Sequence, residues 1–369
     1  MNKLGDPQDI NTQYAALSVR VNLDFDTERQ LGREQEEKLV ESHLRVVFAI
    51  PKHREFMRTG TPSEPLLAEA ARRLLQKLQP LERVPTLLVD AFSSGFLARG
   101  DRGELVMRTL YILARDVAME RGLADKPLIG SQICAPVRVL DWLRALLTEP
   151  LYNVALNARP VGDENGLTLA EAFEDSWLNF SHFANAGDFS VPSIDYLVGC
   201  NVRGMGLQCA PNQRSIDGMN GLHVGIDKPI CKENTSGLLT QAKARVIVEE
   251  HIIDPTIIGE TKHAVMGIVM EFGSDKSQVD VTSFSPPMTI SGWNPYAKFY
   301  QLVVHGVTSE TYGVIPSAMD DKYKTLIAGN KIMDDFPREG DYRDAMLRQK
   351  PAFLCEPVCW DWMRNNYPN

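Results

Sequence analysis

With 369 residues, 44% of them hydrophobic and 24% charged, the chain has an ordinary globular composition, long enough for two domains or one large one. Its net charge of −9 excludes a surface that attracts nucleic acid everywhere, because phosphate affinity rests on lysine and arginine displacing counterions. A nucleic-acid site therefore has to be a local basic patch. No stretch approaches the ~20 apolar residues that a bilayer crossing needs, so membrane insertion is not expected. The six cysteines (Cys134, Cys200, Cys209, Cys231, Cys355, Cys359) form no Cys-x-x-Cys pair and follow no hydrophobic leader after Met1. They read as reduced thiols in an intracellular protein, cytoplasmic or nuclear.

Residues 1–150 read as mainly helical. From Arg33 to Ile50, Leu39, Val40, Leu44, Val47 and Phe48 fall at three- and four-residue spacings, which predicts an amphipathic helix stopped by Pro51. A second helix opens at Thr61-Pro62-Ser63-Glu64-Pro65, with Ser63 as the cap and Pro65 in the first turn. A third long helix runs from Glu104 to near Gly122. This half resembles a bundle, and its surface is the place for a protein partner.

After Pro150 the pattern changes. Thr168 opens a helix predicted to carry Ala172, Phe173, Trp177, Leu178 and Phe180, ended by a turn with Gly187 in a left-handed conformation. Another helix spans Ser193 to Val202. Strand signals follow at Gly206–Ala210, Ser215–Val224 and Gly237–Ala244; a mixed helical segment covers Val246–Ile258; an apolar run, Ala264–Phe272, reads as a buried strand. Phe299–Val304 and Tyr312–Ile315 extend the sheet. The expected organisation is a helical region at 1–150, an α/β core at 151–315 and a C-terminal extension at 316–369.

Several strings are similar to a group of fungal proteins. These are Leu169-Ala170-Glu171-Ala172-Phe173, Asn179-Phe180-Ser181-His182-Phe183, Arg203-Gly204-Met205-Gly206, Asn212 to Asp217, and, nearer the N-terminus, Pro62 to Ala71 and Gly100 to Val106. The resemblance covers roughly residues 35–310. Members of that group carry a restriction-endonuclease-like, PD-(D/E)XK domain related to the effector domains of Crinkler proteins and to transposon-linked nucleases. The resemblance implies an α-β-β-β-α-β core with a central mixed sheet, and a metal-dependent phosphodiesterase site made of an acid, then an acid or amide two residues before a lysine. Here those positions are Asp217, Gln241 and Lys243. Two departures stand out. Asp217 is followed by Gly218-Met219-Asn220-Gly221 instead of an apolar pair and proline, and Ala244 replaces the usual asparagine of the Gln-x-Lys strand.

On a strand, Gln241 and Lys243 project from one side and Thr240 and Ala242 from the other, so a carboxylate on a neighbouring strand can meet the first pair. Asp217 is then the main ligand for Mg²⁺ or Mn²⁺ and Gln241 an accessory one, while Lys243 orients water or stabilises the transition state. Gln in place of Glu removes a negative charge and weakens the metal; Asp195, on the preceding helix, is a candidate to complete the shell. Arg203, Arg214 and Arg245 are the expected basic rim. His182 reads as a hydrogen-bonded core histidine, and His223 and His251 have no ligand partner at useful spacing. Arg102-Gly103-Glu104 reads as a helix start. Two function classes stay open: a nuclease for DNA or RNA, or an inactive nuclease-fold protein serving as a nucleic-acid or protein interaction module.

Overall fold

The computed structural model describes residues 6–27, 29–50, 57–98, 102–124, 135–187, 192–210, 213, 215–244, 253–281 and 298–328. In chain order these form α1 (Ile10–Val21), α2 (Gln30–Glu41), β1 (Val46–Ala49), β2 (Arg58–Gly60), α3 (Pro65–Gln76), α4 (Pro80–Ser93) and α5 (Arg102–Ala124). Next come β3 (Val137–Arg138), α6 (Val139–Leu146), α7 (Glu149–Leu156), α8 (Leu169–Ala172), β4 (Ser176–Leu178), β5 (His182–Asn185) and α9 (Ile194–Arg203). The remainder is β6 (Met205–Gln208), β7 (Gly218–Val224), β8 (Thr235–Lys243), β9 (Val265–Glu271), β10 (Gln278–Val281), β11 (Phe299–His305) and α10 (Asp320–Ile327).

The fold is mixed α and β around one large sheet, ordered β10-β11-β9-β8-β7-β4-β3. Strands β8, β9 and β11 run parallel, and β7 is antiparallel to β8. The far edge of β7 is shared: Gly218–Asn220 pair with β6, and Leu222–Val224 with β4. The order α9-β6-β7-β8, then β9, follows the expected helix, three strands, strand. Of the predicted helical segment before β9, residues 246–252 lie outside the described residues and 255–258 form a short 3₁₀ turn.

Alternation along the strands sorts side chains onto two apolar layers. Leu238, Met266, Ile268, Met270, Leu302 and Val304 join a core built with α1, α3, α4, α5 and α6. Leu239, Val265, Val269 and Phe299 join Leu197 and Cys200 of α9, with Ile253 and Ile258. A sheet covered on both faces needs nearly continuous apolar strands, which is why β9 reads as an unbroken run. The helices of the first 150 residues pack directly on the sheet, and the described residues up to Ile327 belong to one compact unit. Residues past 328, with Cys355 and Cys359, lie outside the described residues.

Some elements differ from the sequence expectation for identifiable reasons. The helix predicted to reach Ile50 stops at Glu41, and His43 takes a left-handed φ of 58°. Arg45 then turns inward, its guanidinium bonding Thr59 Oγ1 and O, Ser18 Oγ and Leu23 O, while Val46 and Phe48 continue as the exposed strand β1. Ser63 does not cap α3, whose N-cap is Glu64; its hydroxyl bonds His182 Nε2. The helix opened by Thr168 does carry a reciprocal capping box with Glu171, yet ends at Ala172; Trp177 and Leu178 lie on β4, where Ser176 and Leu178 face inward at a two-residue period. The helix-ending left-handed glycine is Gly204 (φ 59°), not Gly187. Tyr312–Ile315 forms turns, with a single bridge from Tyr312 to Leu147.

His182 is fully buried at the start of β5, between Ser181 Oγ and Ser63 Oγ at 3.0 Å each. Burial, with Arg20 and Arg203 nearby, pushes its imidazole down to about 3. The folded state therefore holds it neutral while the unfolded chain protonates it near 6.5. Its contribution to stability is complete above pH 6.5 and is lost as pH falls toward 3. Between pH 6.5 and 5, above the range where carboxylates titrate, the urea midpoint is expected to fall for the native chain and to stay flatter in a His182→Gln variant.

Candidate active site

The parallel strands β8, β9 and β11 end side by side, and in open α/β sheets ligands bind outside the carboxyl ends of such strands. Those ends are stitched together by main-chain bonds: Phe272 N donates to Lys243 O at 2.9 Å and Gly306 N to Glu271 O at 3.0 Å, with Gly306 at a φ of 86° that makes the turn.

Asp217 enters this edge from the start of β7. Its N–H donates to Thr240 O at 2.8 Å, and its Oδ2 accepts from Ala242 N at 2.7 Å. The carboxylate thus takes over the ladder where β7 begins, beside the peptide unit that lies between Gln241 and Lys243. On the opposite face of β8, Thr240 Oγ1 meets Tyr111 OH of α5 at 2.8 Å, and Ala242 faces Gly103. Gln241 and Lys243 therefore point to the α9 side of the sheet, the arrangement that alternation predicts. All three side chains are partly buried. Gln241 Oε1 is a buried acceptor that no group among the described residues satisfies, and no carboxylate among them lies within ion-pair reach of Lys243.

A family model described as a domain of unknown function, DUF8736, matches residues 2–126. That is about a third of the chain, α1 to α5, and the candidate site lies outside it. No curated protein and no solved structure matches.

Those of the other expected participants that are described sit elsewhere. Arg203 ends α9, next to the start of β6, whereas Asp217 meets the end of β6 through Cys209 N; the guanidinium of Arg203 bonds Ser63 O and pairs with Glu64 at 3.8 Å. Arg214 and Arg245 lie outside the described residues. Asp195, in the first turn of α9, pairs with Lys232 at 2.6 Å. Lys232 precedes the start of β8, at the end remote from Lys243. Arg102 stacks on Phe92, 4.6 Å from the ring centroid, in keeping with a structural helix start. His223 bonds Lys228 O within its own hairpin, and His251 lies outside the described residues.

Three polar residues beside the site escaped the sequence reading. Lys243 is in register with Glu271, and Glu271 with His305. His305 Nδ1 is 2.9 Å from Glu271 Oε2, close enough for an ion pair although off the hydrogen-bond axis, and its Nε2 is 3.0 Å from Asp280 Oδ2 on β10. The signal available in sequence was a charged or titratable residue closing each of two buried apolar strands.

Among the described residues no three His, Cys, Asp or Glu side chains are grouped to hold a metal, and no helix is long and apolar enough to cross a membrane. A hydrated Mg²⁺ or Mn²⁺ keeps most of its waters and needs only one or two protein oxygens. The Asp217 carboxylate with the unsatisfied Gln241 Oε1 fits that modest demand.

Proposed function

We propose that the chain is a metal-dependent phosphodiesterase acting on DNA or RNA, with Asp217, Gln241 and Lys243 as its site. The observation that carries this reading is the 2.7 Å bond from Ala242 N to Asp217 Oδ2, which ties the acid to the strand segment bearing the amide and the lysine. Asp217 and Gln241 would hold Mg²⁺ or Mn²⁺, which when bound polarises a phosphate and acidifies a water. Lys243 supplies the fixed positive charge for the oxygens that gain charge at the transition state. Its lack of a resident counter-ion among the described residues leaves that charge for the substrate.

A second reading rests on a different feature. Val46, Val47, Phe48 and Ile50 are all exposed on or beside β1, an apolar run on a two-stranded sheet, and such surfaces mark interaction sites. The nuclease fold would then serve as an interaction module that binds a protein partner through its helical region. Incubating purified protein with supercoiled plasmid and with single-stranded RNA, in Mg²⁺, Mn²⁺ or excess chelator, separates the two. Cleavage that needs the metal is the expected result; intact substrate under every condition overturns the nuclease reading in favour of the module.

A further inference from the structure

Outside the candidate active site, the end of α3, the start of α4 and the second half of α5 leave a cavity of about 280 Å³ between them, with Pro316, ahead of α10, as a further wall. That is close to the lower end of the range for sites that hold a small organic molecule, about 300–1,000 Å³. Pro80, Leu81, Leu113 and Val117 make the walls apolar, and the charged groups among the described lining residues are all carboxylates. Asp116 is buried while Glu82 and Glu120 are exposed, so the mouth is acidic. Asp116 is matched by Arg20 and Arg115. Arg72 lies 3.8 Å from Glu120, yet its guanidinium is held by Glu69 through two bonds of 2.9 Å. Burial and the neighbouring Asp116 push the Glu120 carboxyl above its ordinary value against the pull of Arg72, so the negative charge there is incompletely cancelled. Gln76, which also lines the cavity, adds a further acceptor. Its Nε2 donates to Glu120, and because an ionised carboxylate only accepts, the orientation of the amide is fixed. Gln76 Oε1 is left as a buried acceptor with no donor among the described residues.

We propose that this cavity is a binding site for a small organic cation, an apolar body of a few carbons carrying a protonated amine. The walls of Leu81, Leu113 and Val117 take the body, and the three N–H donors of an ammonium serve Gln76 Oε1 and the carboxylates at the mouth. An anion meets those same carboxylates and is repelled; a neutral alcohol of equal length brings one donor and no charge. The positive end of α4 does not reverse this preference. Pro80 has no N–H, Glu82 N already donates to Gln79 O at 3.0 Å, and the Glu82 carboxylate in the first turn offsets the helix dipole. The site shares no residue with Asp217, Gln241 and Lys243, and the proposal stands apart from the phosphodiesterase reading.

The test is a ligand-observed NMR titration of the full chain with hexylammonium, hexanol and hexanoate at pH 7 and fixed ionic strength, on native protein, Glu120→Gln and Val117→Phe, each checked for cooperative unfolding. Hexylammonium is expected to bind saturably and about tenfold more tightly than hexanol, the margin of a charged over a neutral hydrogen bond, with no saturable binding of hexanoate. Glu120→Gln keeps an acceptor for Gln76 but removes the charge. It should weaken hexylammonium by about 3–10-fold, a modest factor because the Glu120 side chain is 43% exposed. Val117→Phe, which fills the cavity from α5, should abolish saturation. Hexanol or hexanoate binding as tightly as hexylammonium overturns the proposal, and so does hexylammonium that fails to saturate native protein or binds both variants as it binds native protein. If Val117→Phe does not unfold cooperatively, the three-ligand series and Glu120→Gln, a change at an exposed position, decide the matter.

Discussion

Asp217→Ala is expected to eliminate metal-dependent cleavage, with a loss of at least about 10²–10³ in rate, the range found when one electrostatic contact to a transition state is removed. The same change should also destabilise the fold, because Ala242 N loses the acceptor it has at 2.7 Å in a partly buried ladder. An unsatisfied main-chain donor of this kind costs about 1–3 kcal/mol. Asp217→Asn separates the two effects: the amide oxygen still accepts from Ala242 N, so stability should return toward native while cleavage stays lost with the missing charge. Equal activity of Asn and native protein would remove Asp217 from the chemistry.

The largest stability effect is expected far from the site. Arg20 of α1 grips Asp116 of α5 with two bonds, at 2.9 and 3.0 Å, and donates a third to Ser181 O at 2.6 Å, while Arg115 meets the same carboxylate at 3.3 Å. Both arginines are 1% exposed, and the Asp116 side chain 8%. Asp116→Ala takes the shared carboxylate from both buried guanidinium groups, and breaking a buried pair in this way costs about 3–5 kcal/mol. In urea unfolding followed by tryptophan fluorescence, this variant should lose most of that amount. Glu149→Ala, which breaks the exposed pair with Arg144, should be indistinguishable from native protein. Similar midpoints for the two variants would show that the buried cluster is not a keystone of the fold.

What could be read from sequence follows from which signals are local. The strands β6 to β9 and the helix before them were legible because period-two alternation, an apolar run and the Ser193 cap are all written within a few residues. Thr168 opens a helix in the sequence pattern that continues through Trp177 and Phe180; nothing nearby announces that it stops after a single turn, since β4 is stabilised by pairing with His223 some 45 positions away. The helix over 33–50 was overextended for a related reason, as the buried acceptors that draw Arg45 inward come from residues 18, 23 and 59. The α4 helix was hidden by Pro80 and Pro85, the first of which fits its opening turn while the second lies inside it.

The site divides in the same way. Gln241 and Lys243 were readable because both sit on one strand, and Asp217 because it lies one hairpin away. Glu271, His305 and Asp280 were not, because their proximity depends on the parallel register of β8, β9 and β11, which no spacing in the chain encodes. Arg203 was expected on the rim from its closeness in sequence to β6, but the helix that carries it ends beside the start of that strand, and its guanidinium turns to Ser63 and Glu64.

The most direct test of the central claim is the rate of Mg²⁺-dependent cleavage by native protein measured beside Asp217→Asn and Lys243→Ala variants that unfold cooperatively. The arrangement at the sheet edge predicts cutting by the native chain alone. Cutting that persists in both variants, or that needs no metal, would contradict it.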